Sequence, residues 1–175
     1  RIGGVAILSR RPFAPGGLSA CAHSGALGIA TIDFNGANLT IATVHLKWPW
    51  PHGQPRQLAA MAADFRAMKD AGFPFLMGGD MNAVPWSAAV QSIADSTGSK
   101  VLPQLRGTWL LANMPASWIG FAGLPIDNIL ASEQVRLTDA ARTSPFGSDH
   151  LAIVVDFTVD REALPANPYG DTPTG

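Results

Sequence analysis

The sequence predicts a mixed α+β domain in which helices pack on the outside of a β-sheet. Three observations favour this class. Short apolar runs outnumber segments with helical spacing, an Asn-Gly pair joins two of the runs as a hairpin, and helical segments are interspersed among them. The length of 175 residues fits one domain, and the 47% apolar content is sufficient for a buried core.

The first predicted strands lie in the first quarter of the chain. Gly4–Ser9 is a short apolar run that ends before a proline, as expected of a buried strand. Gly25–Phe34 is the second strand, and Asn35-Gly36 is a strong signal for a tight turn into an antiparallel partner over Asn38–Leu46.

Two outer helices are predicted after these strands. The spacing of apolar residues predicts a helix over Arg56–Ala71, with Gly72 as its stop. Its apolar face consists of Leu58, Met61, Ala62, Phe65 and Met68. A second helix is predicted over Ser87–Ser96, with Gly98 at its end.

Four further strands complete the prediction. They are Phe73–Met77, Pro125–Ala131, Val135–Thr143 and His150–Thr158. From residue 160 the chain is rich in Pro, Gly, Asp and Thr, which predicts a disordered tail over 160–175 after one domain over 1–159.

Charge and cysteine content exclude several classes of protein. The chain has 12 basic and 13 acidic residues and a formal net charge of -1, so it lacks the positive field of a protein that coats duplex DNA. Its single cysteine, Cys21, cannot form an internal disulfide or build a zinc cluster by itself. No apolar run in the sequence approaches the length of a membrane span.

Polar residues recur at the ends of the apolar runs. The four clusters are His45, Asp80 with Asn82, Asp127 with Asn128, and Asp149 with His150. A carboxylate at the end of a buried strand is costly unless it meets a cation, hydrogen-bond donors or water. Asp80, Asn82 and Asp149 carry the oxygen ligands that Mg²⁺ and Mn²⁺ prefer. Asp127 and His150 could form a pair that acts as a base or stabilises charge.

Each cluster also has a purely structural interpretation. Asp80-Met81-Asn82 is compatible with an Asx turn, and Asp149-His150 with a capped turn before a strand. His45 could be a packed surface histidine, and Asp127 could pair with a neighbouring arginine. The joint order of the clusters along the chain favours a functional site.

Five segments in the same order resemble the motifs of the endonuclease/exonuclease/phosphatase (DNase I-like) superfamily. They are Gly4–Arg10, Thr43–Leu46, Gly78–Ala83, Pro125–Ile129 and Gly147–Leu151. The resemblance spans about positions 3 to 158, and Val84–Ser87 and Gly123–Asp127 are also similar to a bacterial subgroup whose members are often attached to membranes. It implies an α/β/β/α fold, a two-sheet β-sandwich flanked by helices and here lacking its first strands.

The resemblance implies a role for each polar residue in hydrolysis of a phosphoester. Asp80 would orient or deprotonate the attacking water, and Asn82 would hold the scissile phosphate. His45 would contact and neutralise that phosphate. His150, steadied by Asp127, would stabilise the pentacovalent transition state or transfer a proton.

The same resemblance implies a divalent metal, Mg²⁺ or Mn²⁺, bound by Asp149. Sites of the family also use an Asn and a Glu that precede the segment matched here, and neither Glu133 nor Glu162 is a suitable substitute. We therefore expect the larger part of a complete enzyme, with weak metal affinity and poor stability by itself. Asn128 stands where the bacterial subgroup often has His.

The predicted function is that of a divalent-metal-dependent phosphoesterase. The alternative is a degenerate, non-catalytic sandwich that serves as a binding or interaction module. Nucleic acid, phospholipid and small-molecule substrates all stay open. The tryptophans could stack on a substrate, face lipid or pack in the core: Trp48, Trp50, Trp86, Trp109 and Trp118. We also expect a monomer and, from the subgroup, a membrane anchor that holds the domain outside the bacterial cytoplasm.

Overall fold

The computed structural model describes residues 4–51, 53–102, 106–110 and 115–160. The strands of this part are β1 Ser19–Ala22, β2 Leu27–Asp33, β3 Asn38–Val44, β4 Phe75–Asp80, β5 Lys100–Val101, β6 Asp127–Ala131, β7 Val135–Arg142 and β8 Ile153–Val159. Its α-helices are α1 Gly53–Asp70, α2 Ala88–Thr97 and the single turn α3 Ile119–Ala122.

Six strands form one mixed sheet in the order β1-β2-β3-β4-β6-β5. Strands β3 and β4 are parallel and are connected through α1, whereas the other neighbours in this sheet are antiparallel. Strands β7 and β8 form a separate antiparallel pair. The α+β class predicted from the sequence is therefore confirmed.

The hairpin between β2 and β3 forms where the Asn-Gly pair predicts it. Asn35 and Gly36 have φ values of 59° and 81°, which a tight hairpin turn requires and which glycine adopts without steric cost. Phe34 N–H donates to Ala37 O at 2.7 Å and closes the turn. This turn sets a register in which the last residue of β3, Val44, pairs with Leu27.

Both predicted helices are present, with slightly different ends. Helix α1 begins at Gly53, three residues before the predicted start at Arg56, and it buries Met61, Phe65 and Met68. Helix α2 is capped by Ser87, whose side chain accepts a hydrogen bond from Val90 N–H. The residue that ends it, Gly98, has the left-handed φ of 67°.

The six-stranded sheet is covered by different layers on its two faces. On one face α1 and α2 pack on fully buried residues of the central strands, among them Leu27, Val44, Met77 and Leu130. Residues of the opposite parity, Ile32, Leu39 and Ala131, pack with Val135 of β7 and with Phe157 of β8. The six-stranded sheet therefore lies between a helical layer and a β-layer.

The predicted strand over Gly4–Ser9 is wrong. Residues 4–9 form no β-ladder in the structure, although Val5 N–H donates to Gly25 O, and Leu8 is 91% exposed. An apolar run becomes a strand only where a neighbour pairs with it. The strand that pairs with the outer side of β2 is instead Ser19–Ala22, a short stretch of small residues that was not among the predicted strands.

Other predicted strands are present with shifted ends. Strand β4 starts at Phe75, two residues after the predicted Phe73, and continues through two glycines to Asp80. A Cβ at Gly79 would lie 1.9 Å from Val44 O, so only glycine permits this approach of β4 to β3. Strand β8 starts at Ile153 rather than His150. The predicted tail lies outside the described residues except for its first residue, and among the described helices none is suited to crossing a membrane.

Candidate active site

Asp80 is the last residue of β4 and lies at the centre of the candidate site. Its Oδ1 accepts a hydrogen bond from Asn82 N–H at 2.8 Å, which forms the Asx turn that the sequence allowed. Asn82 has a φ of 45° in this turn, and its Nδ2 donates to Leu46 O at 2.7 Å. The turn therefore connects the end of β4 to the segment after β3. The Asx turn and a functional site at Asp80 are thus compatible with each other.

His45 immediately follows β3 and faces Asp80. Parallel neighbours such as β3 and β4 leave the sheet at the same edge, so their exits lie side by side. Leu46 N–H donates to Asp80 O at 2.9 Å, and the His45 Nε2 atom lies 3.5 Å from Asp80 Oδ2. His45 therefore lies beside Asp80, and its role in catalysis stays a prediction.

His150 reaches the same carboxylate from the segment before β8. Its Nδ1 lies 2.8 Å from Asp127 Oδ2, and its Nε2 lies 3.8 Å from Asp80 Oδ2. Asp127 is held in turn by the hydroxyl of Thr108, which donates to Asp127 Oδ2 at 2.6 Å. An Asp127 carboxylate assigns the proton of neutral His150 to Nδ1, leaving Nε2 directed at Asp80.

Thr108 is a further residue of the site, and no sequence motif indicates it. It is fully buried, and the segment that carries it is not part of any strand of the six-stranded sheet. A Cβ at the preceding Gly107 would lie 2.2 Å from the backbone of Gly123, so this segment passes close to the chain before β6. A threonine next to a tryptophan carries no motif signal of its own, and only folding brings it to Asp127.

Burial raises the pKa of Asp80 above the ordinary carboxyl value, and the nearby charge of Asp127 acts in the same direction. The N–H of Asn82 lowers that pKa, as do His150 and His45. Two carboxylates thus share two imidazoles at one edge of the sheet. Such a group can accept a proton from water and can also stabilise negative charge.

Comparison with known protein families identifies the family of the chain. The sequence profile of the Endonuclease/Exonuclease/phosphatase family matches residues 1–150. The chain belongs to this family. The resemblance of its motifs is thereby confirmed, and the family is typically made up of metal-dependent phosphoesterases.

Solved structures share the fold of this family member. The endonuclease/exonuclease/phosphatase from Beutenbergia cavernae matches with a TM-score of 0.62 and 19% identity over 86% of this chain and 46% of that chain. The endonuclease/exonuclease/phosphatase from Bacteroides vulgatus matches with a TM-score of 0.60 and 18% identity over 76% of this chain and 55% of that chain. TDP2 from D. rerio, complexed with a single-strand DNA product, matches with a TM-score of 0.56 and 20% identity over 76% of this chain and 61% of that chain.

The chain corresponds to part of each of these structures. The chain spans 46 to 61% of the length of the three structures, and at such identities the likeness concerns the fold alone. No curated protein sequence matches the chain.

Asp149 lies at the rim of the site of this family member. Its Oδ2 accepts a hydrogen bond from Trp109 Nε1–H at 3.1 Å, on the exposed side. The family generally uses divalent metals, but within the described residues no group of three or more His, Cys, Asp or Glu side chains is arranged to hold one. One rim carboxylate does not make a metal centre, so we assign no catalytic step to a metal.

Tryptophans form an aromatic wall beside His150, consisting of Trp48 and Trp109. The ring centroid of Trp109 lies 6.3 Å from that of His150 and 6.0 Å from that of Trp48. Trp48 is 48% exposed. Trp50, Trp86 and Trp118 are exposed as well, so the alternative that they pack in the core is wrong.

Asn128 does not share the site with Asp127, because successive residues of a strand point to opposite faces. Its buried amide lies on the helical side of β6, where Nδ2 donates to Ala83 O at 2.8 Å and to Ile126 O at 3.0 Å. Asn128 therefore supports the loop after Asp80. Asp127 pairs with His150, so the alternative pairing with an arginine is also wrong.

Proposed function

We propose that the chain carries the hydrolytic centre of a phosphoesterase, which activates water for attack on a phosphodiester or phosphomonoester. One observation carries the proposal: the Asp80 carboxylate faces Nε2 atoms of both His45 and His150, and Asp127 orients the second imidazole. Positioning a nucleophile and neutralising charge are the main requirements of phosphoryl transfer.

The geometry supports a division of roles. Asp80 orients the attacking water and accepts its proton, for which a pKa raised by burial is favourable. The distances of 3.5 and 3.8 Å from Asp80 to the imidazoles exceed hydrogen-bond length, so either ring, once protonated at Nε2, can donate that N–H to a phosphoryl oxygen. Asn82 has an amide beside the same carboxylate and would contact the scissile phosphate.

We also propose that Asp149 supplies one ligand to Mg²⁺ or Mn²⁺ and that the β7–β8 pair belongs to the second sheet of a DNase I-like sandwich. The family's general use of divalent metals supports the first statement. The packing of β7 and β8 against the six-stranded sheet supports the second.

The substrate we propose has an apolar or planar group next to its phosphoester. The net charge of -1 is unfavourable for tight binding to duplex DNA, which depends on many cationic contacts. The aromatic wall offers a stacking or apolar contact beside His150. Nucleotides, aryl phosphodiesters and phospholipids all satisfy this description.

The experiment is an assay of the 175-residue chain on plasmid DNA, a bis-aryl phosphodiester, an aryl phosphomonoester and phospholipid vesicles, with Mg²⁺, Mn²⁺ or EDTA. We expect hydrolysis that His150→Ala reduces by about 100-fold or more, since general acid–base groups contribute on that order. The matched control is Glu133→Gln, which removes only the exposed ion pair with Lys100. Absence of His150-dependent turnover on every substrate would favour the non-catalytic binding module.

A further inference from the structure

Gln54 is a buried polar residue in the first turn of α1 that the hydrolytic roles leave unexplained. Its side chain is only 4% exposed. Its Nε2 donates to Lys47 O at 2.9 Å and to Met81 O at 3.0 Å. These carbonyls belong to two different loops, since Lys47 follows β3 and Met81 follows β4. We call these two hydrogen bonds the Gln54 bridge.

Two backbone N–H groups of the loop that carries His45 donate to backbone carbonyls, His45 to Ala26 O and Leu46 to Asp80 O, and side-chain amides supply its other hydrogen bonds. Gln57 Nε2 donates to His45 O at 3.1 Å, and Gln57 Oε1 accepts from Lys47 N–H at 2.6 Å. Asn82 Nδ2 donates to Leu46 O. Each backbone carbonyl from His45 to Lys47 therefore accepts a hydrogen bond from a side-chain amide.

The sheet cannot supply these contacts. The pairing of β3 with β4 ends at Thr43 and Gly78. It therefore stops two residues before His45 and Asp80. Beyond it, the backbone hydrogen bond from Leu46 N–H to Asp80 O joins the loops directly. A primary amide has two N–H donors, so Gln54 can satisfy one buried carbonyl from each loop. This geometry couples the position of one loop to that of the other.

We propose that Gln54 is a positioning residue for the hydrolytic reaction, because its bridge sets the separation of the His45 imidazole from the Asp80 carboxylate. The inference rests on the proposed function. Gln54 contacts neither group directly and acts through the backbone on both sides of them. Displacement of a catalytic group by about 1 Å can reduce a rate by about 100-fold.

The first test compares Gln54→Met with wild type in the 175-residue chain. Methionine keeps the length and flexibility of the side chain but lacks both donors. We expect kcat to fall by about 10- to 100-fold with a change in KM of less than about threefold. The control Gln91→Met removes a similar bond, from Gln91 Nε2 to Pro85 O at 2.8 Å, on the exposed side of α2 and should leave kcat unchanged.

A double-mutant cycle separates positioning from a merely structural role. If the bridge acts by placing His45 against Asp80, Gln54→Met should reduce the residual rate of His45→Ala by less than about threefold. If Gln54 only stabilises the fold, the two losses should multiply, and this result would overturn the proposal. Thermal unfolding of each variant establishes that the assayed protein is folded.

A readout that needs no turnover keeps the inference separate from the proposed function. The NMR resonance of the His45 ring Cε1–H should shift or broaden in Gln54→Met and stay in place in Gln91→Met. An unchanged resonance would overturn the Gln54 proposal even if the chain is an active phosphoesterase. A shifted resonance in a chain without activity would support the bridge while the proposed function fails.

Gln57→Met provides a second variant in case Gln54→Met does not fold. Gln57 is less buried than Gln54 and contacts only the loop that carries His45. We expect a smaller fall in kcat, about 3- to 10-fold, with the same shift of the His45 resonance. A wild-type kcat together with a wild-type resonance in Gln57→Met would contradict the role assigned to these amides.

Discussion

Replacing Thr108 by valine tests the support of the Asp127–His150 pair most directly. The hydroxyl of Thr108 donates to Asp127 Oδ2 at 2.6 Å, and the residue is fully buried. Valine has nearly the same shape, so the substitution removes the hydroxyl, including its longer contact of 3.4 Å with Asp127 N–H, without creating a large cavity. In the variant, Asp127 Oδ2 keeps its contact with His150 Nδ1.

The expected magnitude follows from the type of bond. A hydrogen bond to a charged group contributes about 1.5 to 3 kcal/mol. If loss of this hydrogen bond destabilises only the transition state, in which Asp127 stabilises the charge on His150, kcat should decrease by roughly 10- to 150-fold. If it falls on the folded state as a whole, the free energy of unfolding should decrease by about 1.5 to 3 kcal/mol instead.

Two matched variants distinguish these outcomes. Thr108→Ser keeps the hydroxyl and loses one methyl group, so it should retain most of kcat and lose about 1 kcal/mol of stability. Thr143→Val removes an exposed side-chain acceptor of Ala152 N–H and should leave kcat unchanged. Steady-state kinetics and urea unfolding measure both quantities. Equal kcat and equal stability for Thr108→Val and Thr108→Ser would refute the reasoning.

Three further predictions concern other contacts of the site. The raised pKa of Asp80 means that the fold favours its protonated form: this contribution to stability is fully present below the ordinary value of 3.8 and is lost as the pH rises through the raised pKa. Hydrolysis should fall as the pH is lowered through that pKa, because the protonated carboxyl cannot accept a proton from water. Asp80→Asn should abolish hydrolysis. It should also remove this contribution to the pH dependence of the free energy of unfolding in urea. Gly79→Ala would place a Cβ 1.9 Å from Val44 O and should lower the free energy of unfolding by roughly 3 kcal/mol, whereas Gly4→Ala, with nothing within 4 Å, should not; equal melting temperatures would contradict this. Calorimetry should show weak Mg²⁺ binding that Asp149→Asn abolishes. Binding that survives this substitution would contradict the assignment of Asp149, and tight binding by the chain would contradict the expected weak affinity.

Local chemistry explains which parts of the fold could be predicted. The Asn35-Gly36 turn and the helix stop at Gly98 each depend on residues a few positions apart, so their signals are readable along the chain. The strand over Gly4–Ser9 failed for the opposite reason. Strand formation depends on a distant partner, and apolar composition does not reveal whether one exists.

The sequence by itself determined the family, the α+β class, the two outer helices and the polar residues at the strand exits, because each depends on residue type and short-range order. The tertiary structure alone decided how these residues meet. It placed His45 and His150 against Asp80, moved Asn128 to the opposite face and left Asp149 at the rim. It also brought Thr108 to Asp127 and Gln54 to the loop after Asp80, residues 19 and 27 positions from their partners. Contacts at such separations arise from packing, since no local pattern in the chain encodes them.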